Sequence, residues 1–90
     1  MIPWIDSHVS ATLVRMQEDY ETLRRTLGRN VRVLRRGRKL SQEQLAFEAE
    51  IDRTYVGQIE RGVINPSLQI LWKIANVLAV DVVTLLNPAE

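Results

Sequence analysis

The sequence contains no cysteine, which excludes disulfide bonds and thiolate metal sites and is typical of a protein from a reducing compartment. Three prolines and four glycines leave few positions that interrupt a helix. No apolar run approaches the roughly 20 residues that a membrane-spanning helix needs. The N-terminal "MIPWIDSHVS" also lacks the basic and apolar regions of a signal peptide. We therefore expect a soluble, cytoplasmic protein.

Residues that support catalysis are scarce as well. The single histidine, His8, lies near the N-terminus, and the acidic residues Glu18, Asp19 and Glu21 fall on a polar helix face. The sequence has no glycine-rich loop of the kind that holds phosphates. We predict that the protein is not an enzyme and that it has no metal site and no cofactor.

Basic residues are concentrated in one segment, although the net charge is only +1. Residues 24–39, "RRTLGRNVRVLRRGRK", hold eight of the twelve basic residues and no acidic residue. A run of charge is often only a solvated helix face, but here no acidic side chain four residues away neutralises it within the run. The pattern favours an anionic partner, with nucleic acid as the first candidate and an anionic membrane surface as the second.

Apolar residues recur at helical spacing along almost the whole chain, and no alternating strand pattern of useful length occurs. A first helix is expected from Asp6 or Ser7, because either residue can cap it. Gly28 either breaks this helix or is tolerated within it at a cost of roughly 1 kcal/mol, and Gly37 is expected to end the segment. The apolar stripe of the first helix consists of Val9, Leu13, Met16, Tyr20, Leu23 and Leu27. The stripe is too short for a convincing coiled coil, so the helix either docks on its own domain or forms a dimer contact.

Shorter helices follow, and each has a capping residue at its start. "SQEQ" from Ser41 is a capping box, and Asp52, Ser67 and Asp81 are natural N-caps. The residues expected to face inward in the first two of these helices are Leu45, Ala46, Ala49, Val56 and Ile59. The helix after Ser67 carries Leu68, Leu71, Ile74, Ala75 and Leu78 on one apolar face, and the last short helix carries Val82, Leu85 and Leu86.

The helix after Ser67 is apolar nearly all round. Such a helix is normally covered on more than one side, and a second copy of the chain is one way to cover it. The candidate dimer contacts are Ile70, Trp72, Val77, Val82, Leu13 and Tyr20.

Two short helices joined by the residues "AEID" match a helix-turn-helix. Residues 27–86 resemble the XRE family, the phage repressor and Cro-like helix-turn-helix DNA-binding domains. The resemblance rests on five segments in order: "LGRNVRVLR", "LSQEQLA", "RTYVGQIERG", "NPSLQIL" and "KIANVLAV". It implies an all-α, five-helix domain over residues 27–90. Residues 1–26 lie outside the resemblance, and the apolar stripe predicts an extra N-terminal helix there as an extension.

The second helix of such a pair presents its outer face to the major groove of DNA. The base-reading positions of the family fall here on Arg53, Thr54, Gly57 and Gln58, and Gly57 can contribute only space. Arginine can bind guanine through O6 and N7, and glutamine can bind adenine through N6 and N7. The threonine methyl group can contact thymine.

A second set of residues is expected to contact phosphates. Gln42 resembles the family's phosphate-binding glutamine, and it lies at a helix N-terminus, where free amides favour phosphate. Arg61 and Asn65 fall where the family again touches the DNA backbone. Tyr55 either gives its hydroxyl to a phosphate or covers the edge of the domain. Arg38 leads into the motif and can add attraction.

Arg35 and Glu60 are expected to have a structural role instead. In similar domains, residues of these types form a buried ion pair between the first core helix and the recognition helix, which orients the two elements. Glu50 departs from the family pattern, since glycine usually occupies this turn position, where the backbone is often left-handed. Either Glu50 accepts the strain or the turn has a different geometry.

Together these features predict a sequence-specific regulator that binds double-stranded DNA as a homodimer on a two-fold operator. A single helix-turn-helix domain with few base contacts binds DNA weakly. A dimer that binds two half-sites one helical turn apart has a much higher affinity. The prediction includes no cofactor and no membrane partner. The alternative is an antitoxin or regulatory subunit whose N-terminal helix binds a partner protein.

Overall fold

The computed structural model describes the backbone of residues 7–88 and the side chains of residues 19–88. No strand occurs among these residues, so the all-α prediction is confirmed. No helix in this part of the chain is both long and apolar enough to cross a membrane. The helices are α1 (Ser7–Gly37), α2 (Gln42–Ala49), α3 (Arg53–Glu60), α4 (Leu68–Leu78) and α5 (Val82–Leu86).

Local side-chain chemistry sets where the four shorter helices begin. Ser41 Oγ accepts a hydrogen bond from Gln44 N at 3.0 Å, and Gln44 Oε1 accepts one from Ser41 N at 2.7 Å. This is the predicted capping box. The N-caps predicted for α3, α4 and α5 are also formed, by Asp52, Ser67 and Asp81. Each such cap stabilises its helix by about 1 kcal/mol.

The inner faces of all five helices form one core. α2 and α3 have eight residues each, too few to be stable as isolated helices in water, so packing on this core maintains them. The buried apolar residues are Leu27, Val31, Leu45, Ala46, Ala49, Val56, Ile59, Leu71, Ile74, Ala75, Leu78 and Leu85.

Helix α1 runs without a break through Gly28 and ends at Gly37, as predicted for its end. Gly28 is therefore tolerated, and its lack of a side chain is required. A Cβ atom at Gly28 would lie 2.4 Å from the backbone oxygen of Ile59 and 2.6 Å from that of Glu60. The absent side chain lets α1 approach the end of α3 closely. The predicted N-terminal extension is continuous with the first core helix.

The backbone of Glu50 is left-handed, with φ 57° and ψ 45°. Glu50 is the C-cap of α2, and its N–H group donates to the carbonyl oxygens of Ala46 and Phe47. Of the two alternatives for this turn, the strained one is observed, at a cost of roughly 1 kcal/mol. Lys39 and Ala79 have left-handed backbones as well, with φ 59° and 58°.

Leu68 belongs to the predicted apolar face of α4 but is not covered by the core. This side chain is 73% exposed, whereas Leu71, one turn further along α4, is only 8% exposed. Leu68 is the first residue of α4, at a helix end that the neighbouring elements do not cover. Helical spacing alone does not reveal how far along a helix the core extends.

Candidate nucleic-acid interface

Helix α3 is held by the core on one side and shows polar residues on the other. Val56 and Ile59 are buried, at 0% and 1% exposure, as predicted. Arg53 and Thr54, at the start of α3, are exposed. α2 packs against α3 across the short turn that joins them. The pair therefore has the helix-turn-helix arrangement, in which α2 supports α3.

The four residues predicted to read bases differ in exposure. Arg53 and Thr54 are exposed, Gln58 is half-buried and Gly57 is buried. Gly57 is thus buried although its position in α3 belongs to the predicted outward face. Two neighbouring side chains cover it, because a Cβ atom at Gly57 would lie 3.6 Å from Nη1 of Arg61 and 3.7 Å from Oε1 of Gln42.

Gln42 uses part of its side chain inside the protein. Its Nε2 atom donates a hydrogen bond to Oε1 of Glu60 at 3.1 Å, and the residue is half-buried. This bond ties the first residue of α2 to the last residue of α3. Groups that remain for a phosphate at this point are the second amide hydrogen of Gln42 and the backbone amides that begin α2.

The ion pair predicted between Arg35 and Glu60 is present in the structure and is buried. Arg35 Nε donates to Glu60 Oε2 at 2.6 Å, and Arg35 Nη2 donates to Oε1 at 3.0 Å. This is the bidentate geometry that suits arginine and a carboxylate. Arg35 Nη1 also donates to the backbone oxygen of Leu40 at 2.9 Å. Through these bonds, α1 fixes both the end of α3 and the approach to α2.

The environment of Glu60 keeps its carboxylate charged. Burial by itself raises the pKa of the Glu60 carboxyl, but hydrogen bonds from Arg35 and Gln42 and the charge of Arg35 outweigh burial. A longer contact from Arg32, with Nε 3.4 Å from Oε1, acts in the same direction. The pKa of Glu60 therefore lies below its ordinary value, and the pKa of Arg35 is raised by its hydrogen bond to Glu60.

The residues predicted to contact phosphates lie at several points around α3. Arg61 directly follows α3 and is exposed, and Asn65 is exposed in the loop before α4. Arg38 is exposed in the turn between α1 and α2. Tyr55 is half-buried and packs against the core, in keeping with its interpretation as a cover for the domain edge.

The candidate dimer contacts differ in how much apolar surface they leave free. Trp72 is 56% exposed and Tyr20 is 42% exposed. The side chain of Leu13 lies outside the described residues. Three others are half-buried against the core of their own monomer: Ile70, Val77 and Val82.

Asn30 has a structural role that the sequence pattern did not predict. This residue is 7% exposed, and its Nδ2 atom donates to the backbone oxygens of Leu85 at 2.9 Å and Asn87 at 2.6 Å. These bonds tie the middle of α1 to the end of α5. The spacing of Asn30, three residues after Leu27 on the buried face of α1, could have indicated that its side chain is buried.

Among the described side chains, no group of acidic residues and histidine is large enough to hold a metal ion. The buried carboxylate of Glu60 is already bound by Arg35. The surface around α3 offers guanidinium, amide and hydroxyl groups instead. Such groups bind phosphates and the edges of bases.

Comparisons with known proteins identify a family and several similar proteins. A family model described as "Helix-turn-helix" (HTH_3) matches residues 31–85. The immunity repressor protein of Bacillus phage phi105 is 42% identical over 57 residues, which are 63% of this chain and 40% of the repressor. Control protein C.BamHI of Bacillus amyloliquefaciens is 42% identical over 66 residues, which are 72% of this chain and 82% of that protein.

One similar solved structure contains DNA. It is the master regulator for biofilm formation, SinR, in complex with DNA, with a TM-score of 0.66 and 37% sequence identity. The match covers 68% of this chain and 98% of the SinR chain. The present chain thus spans less than half of the phage repressor but nearly all of that SinR chain.

Proposed function

This chain belongs to the helix-turn-helix family of DNA-binding transcription regulators of the XRE, Cro/C1 type, and we propose that it acts as a homodimer on a two-fold operator. The resemblance drawn from five segments over residues 27–86 is confirmed by the family match over residues 31–85. One observation carries the proposal. Helix α3 is buried along Val56 and Ile59 and leaves Arg53 and Thr54 exposed.

In the proposed complex, α3 lies in the major groove. Arg53 and Thr54, at the start of α3, are placed where recognition helices of this kind contact bases. Gln58, a half-buried residue, follows one turn after Thr54, and its amide can hydrogen-bond to adenine. Each bidentate contact of this type discriminates against a wrong base by about 1–3 kcal/mol.

Phosphate contacts fix the register of α3 in the groove. The amides at the start of α2, with the remaining amide hydrogen of Gln42, form one contact. Exposed Arg61 and Asn65 form contacts on the other side of α3. Arg38 adds a charge at the turn before α2. These contacts carry no sequence information, but they position the side chains that do.

A homodimer accounts for the free apolar surface that remains on the monomer. Trp72 on α4 is 56% exposed although the side chain is large and apolar. A two-fold dimer places the same patch of each copy against the other. It also aligns two recognition helices with two half-sites, which multiplies the affinity of a module with few base contacts.

Salt titration tests the DNA-binding part of the proposal. The affinity of the full chain for a labelled random-sequence duplex is measured by fluorescence anisotropy from about 50 to about 200 mM salt. We expect the logarithm of the affinity to fall linearly with the logarithm of salt concentration, because bound arginines release counterions. The absence of measurable binding at the low-salt end would contradict DNA binding.

Sedimentation velocity tests the homodimer. For a chain of 10.4 kDa, we expect a species of twice that mass, and Trp72→Glu should convert it to a monomer. Phe47→Glu is a matched control, because Phe47 is 83% exposed but lies on α2. A wild-type monomer at concentrations that saturate DNA, or equal effects of the two variants, would refute this dimer.

A second function is supported by the length of α1. This helix begins at Ser7, well before the family match begins at residue 31, and it exposes Tyr20 and Leu23 by 42% and 41%. Such a surface suits a partner protein, as in an antitoxin or a regulatory subunit. Tyr20→Glu/Leu23→Glu would then abolish capture of a partner protein in a pull-down from the source cell, while DNA binding remains. Loss of DNA binding in this variant, with capture unchanged, would exclude this function.

A further inference from the structure

Helix α1 carries a row of arginines on the side that meets the end of α3. Arg25, Arg29 and Arg32 are spaced at i, i+4 and i+7, so they share one helix face. An open cleft of about 630 Å³ lies between this row and the residues that end α3. The cleft is lined by Arg25, Arg29, Arg32, Glu60, Arg61 and Val63.

The cleft is strongly positive. Glu60 is the one acidic residue that lines it, and the charge of Glu60 is already bound by Arg35 at 2.6 Å. Arg32 contributes only a longer contact of 3.4 Å to the same carboxylate. Among the described side chains, Arg25 and Arg29 have no acidic partner within ion-pair distance. Four arginines thus line one cleft with little negative charge to balance them.

The walls of the cleft are held in fixed positions by the backbone. Gly62, with φ 70°, lies so close to α1 that a Cβ atom on it would be 3.4 Å from Cα of Arg25. Gly28 brings α1 closer still to the carbonyl oxygens that end α3, since a Cβ atom there would lie 2.4 Å from that of Ile59. The backbone separation between the α1 arginines and Arg61 is therefore set by the fold, so no backbone rearrangement is needed when a ligand binds.

Arg61 connects this cleft to the surface of α3. One of its guanidinium nitrogens, Nη1, lies over Gly57 in the middle of α3, and the residue also lines the cleft. A ligand that runs along α3 toward its end therefore meets Arg61 first and the α1 arginines next.

On the basis of the proposed function, we propose that Arg25, Arg29, Arg32 and Arg61 form a phosphate-binding cleft that holds the DNA backbone beside the bases read by α3. Phosphodiester oxygens suit the planar fork of arginine. Arg25 and Arg29 precede residue 31, where the family match begins. The N-terminal part of α1 thus adds its own contacts to the DNA-binding surface.

Arg24 provides a matched control, because it points to a different side of α1. Its guanidinium lies 5.0 Å from the centre of the Tyr20 ring. It lines a separate groove with Leu71 of α4 and Leu86 of α5. Arg24→Gln therefore removes the same charge as Arg25→Gln, one residue away, without touching the cleft.

The experiment compares salt titrations of duplex binding for the full-length wild type, Arg25→Gln, Arg29→Gln and Arg24→Gln. Circular dichroism verifies that each variant is folded. Each cleft variant should lower the salt slope by about 0.9, the contribution of one phosphate contact. At 0.1 M salt this corresponds to about eightfold weaker binding, equally for all sequences. Arg24→Gln should leave the slope unchanged.

The outcomes separate this inference from the proposed function. If the wild type does not bind duplex DNA at low salt, the proposed function itself fails. If the wild type binds with a steep salt slope but Arg25→Gln and Arg29→Gln behave like Arg24→Gln, only the cleft is refuted. Inorganic pyrophosphate is titrated against the protein without DNA as a second arm. The DNA contact is overturned if pyrophosphate binds saturably, Arg29→Gln abolishes that binding, and the salt slope for duplex DNA is the same in the variant as in the wild type. The cleft would then be assigned to a free phosphate compound.

Discussion

Gly28 of α1 lies directly against the backbone oxygen of Ile59 in α3, so close that a Cβ atom would stand 2.4 Å from that oxygen. The contact sets the distance between the long helix and the recognition helix. It also explains why a glycine occupies the interior of a helix, where it costs roughly 1 kcal/mol relative to alanine. Backbone atoms, unlike the ends of flexible side chains, cannot move aside to admit a methyl group.

Gly28→Ala is therefore expected to destabilise the fold. The steric clash should lower the free energy of unfolding by about 1–3 kcal/mol or more, in spite of the better helix propensity of alanine. Urea denaturation followed by circular dichroism measures the change. Gly37→Ala is the control, since nothing lies within 4 Å of a Cβ atom there and the substitution should be neutral or slightly stabilising. Equal stability of the two variants would contradict the close approach of α1 and α3.

The ion pair between Arg35 and Glu60 should matter most when only one partner is removed. Arg35→Met leaves the buried Glu60 carboxylate without its main donor, and we expect a loss of about 3–5 kcal/mol in unfolding free energy. The double variant Arg35→Met/Glu60→Leu removes both charges and should recover much of that loss. Chemical denaturation of both variants checks this, and a double variant no more stable than Arg35→Met would count against it.

The same carboxylate makes stability depend on acid. Because the pKa of Glu60 is lowered in the folded state, the stabilisation from its charge is complete above about pH 4.3, the ordinary glutamate value. It is lost as the pH falls through the lowered folded pKa. Glu60→Gln should be less stable than the wild type at neutral pH, and it should lose less stability than the wild type on acidification. Midpoints of urea denaturation from about pH 7 to about pH 3 measure both effects. An unchanged acid dependence in this variant would be inconsistent with the ion pair.

Glu50 in its left-handed conformation offers a stabilising substitution. Glu50→Gly should raise the unfolding free energy by about 1 kcal/mol, because glycine adopts this backbone conformation without strain. Glu48→Gly is the matched control in the helical part of α2, where glycine should cost about 1 kcal/mol. The midpoint temperature of thermal unfolding should rise in Glu50→Gly and fall in Glu48→Gly. A shift in the same direction would show that the turn is not strained.

The parts of the fold that depend on neighbouring residues in the sequence were predictable. The capping box at Ser41 and the caps at Asp52, Ser67 and Asp81 follow from side chains that bond to backbone amides two or three residues away. The inward faces of α2 and α3 follow from helical spacing. Each of these features is decided within one or two helical turns.

Features that depend on distant contacts could not be read from the sequence. Gly28 was ambiguous, because only the position of Ile59 explains the missing side chain. Leu68 fits the helical pattern of α4 but lies where nothing covers it. Gly57 belongs to the outer face by spacing, yet the side chains of Arg61 and Gln42 fold over it. The helical pattern does not predict exposure wherever tertiary packing determines which residues are covered.

The central claim is that the exposed side of α3 reads bases in two half-sites, and selection of bound sequences from a random duplex library tests it most directly. The wild-type chain should enrich an inverted repeat with half-sites about 10 base pairs apart. Gln58→Ala should lose discrimination of about 1–3 kcal/mol at one symmetry-related pair of positions, whereas Phe47→Ala should select the wild-type sequence. If no sequence is enriched, or if Gln58→Ala and Arg53→Ala both select the wild-type sequence with undiminished discrimination, α3 is not the element that reads the operator.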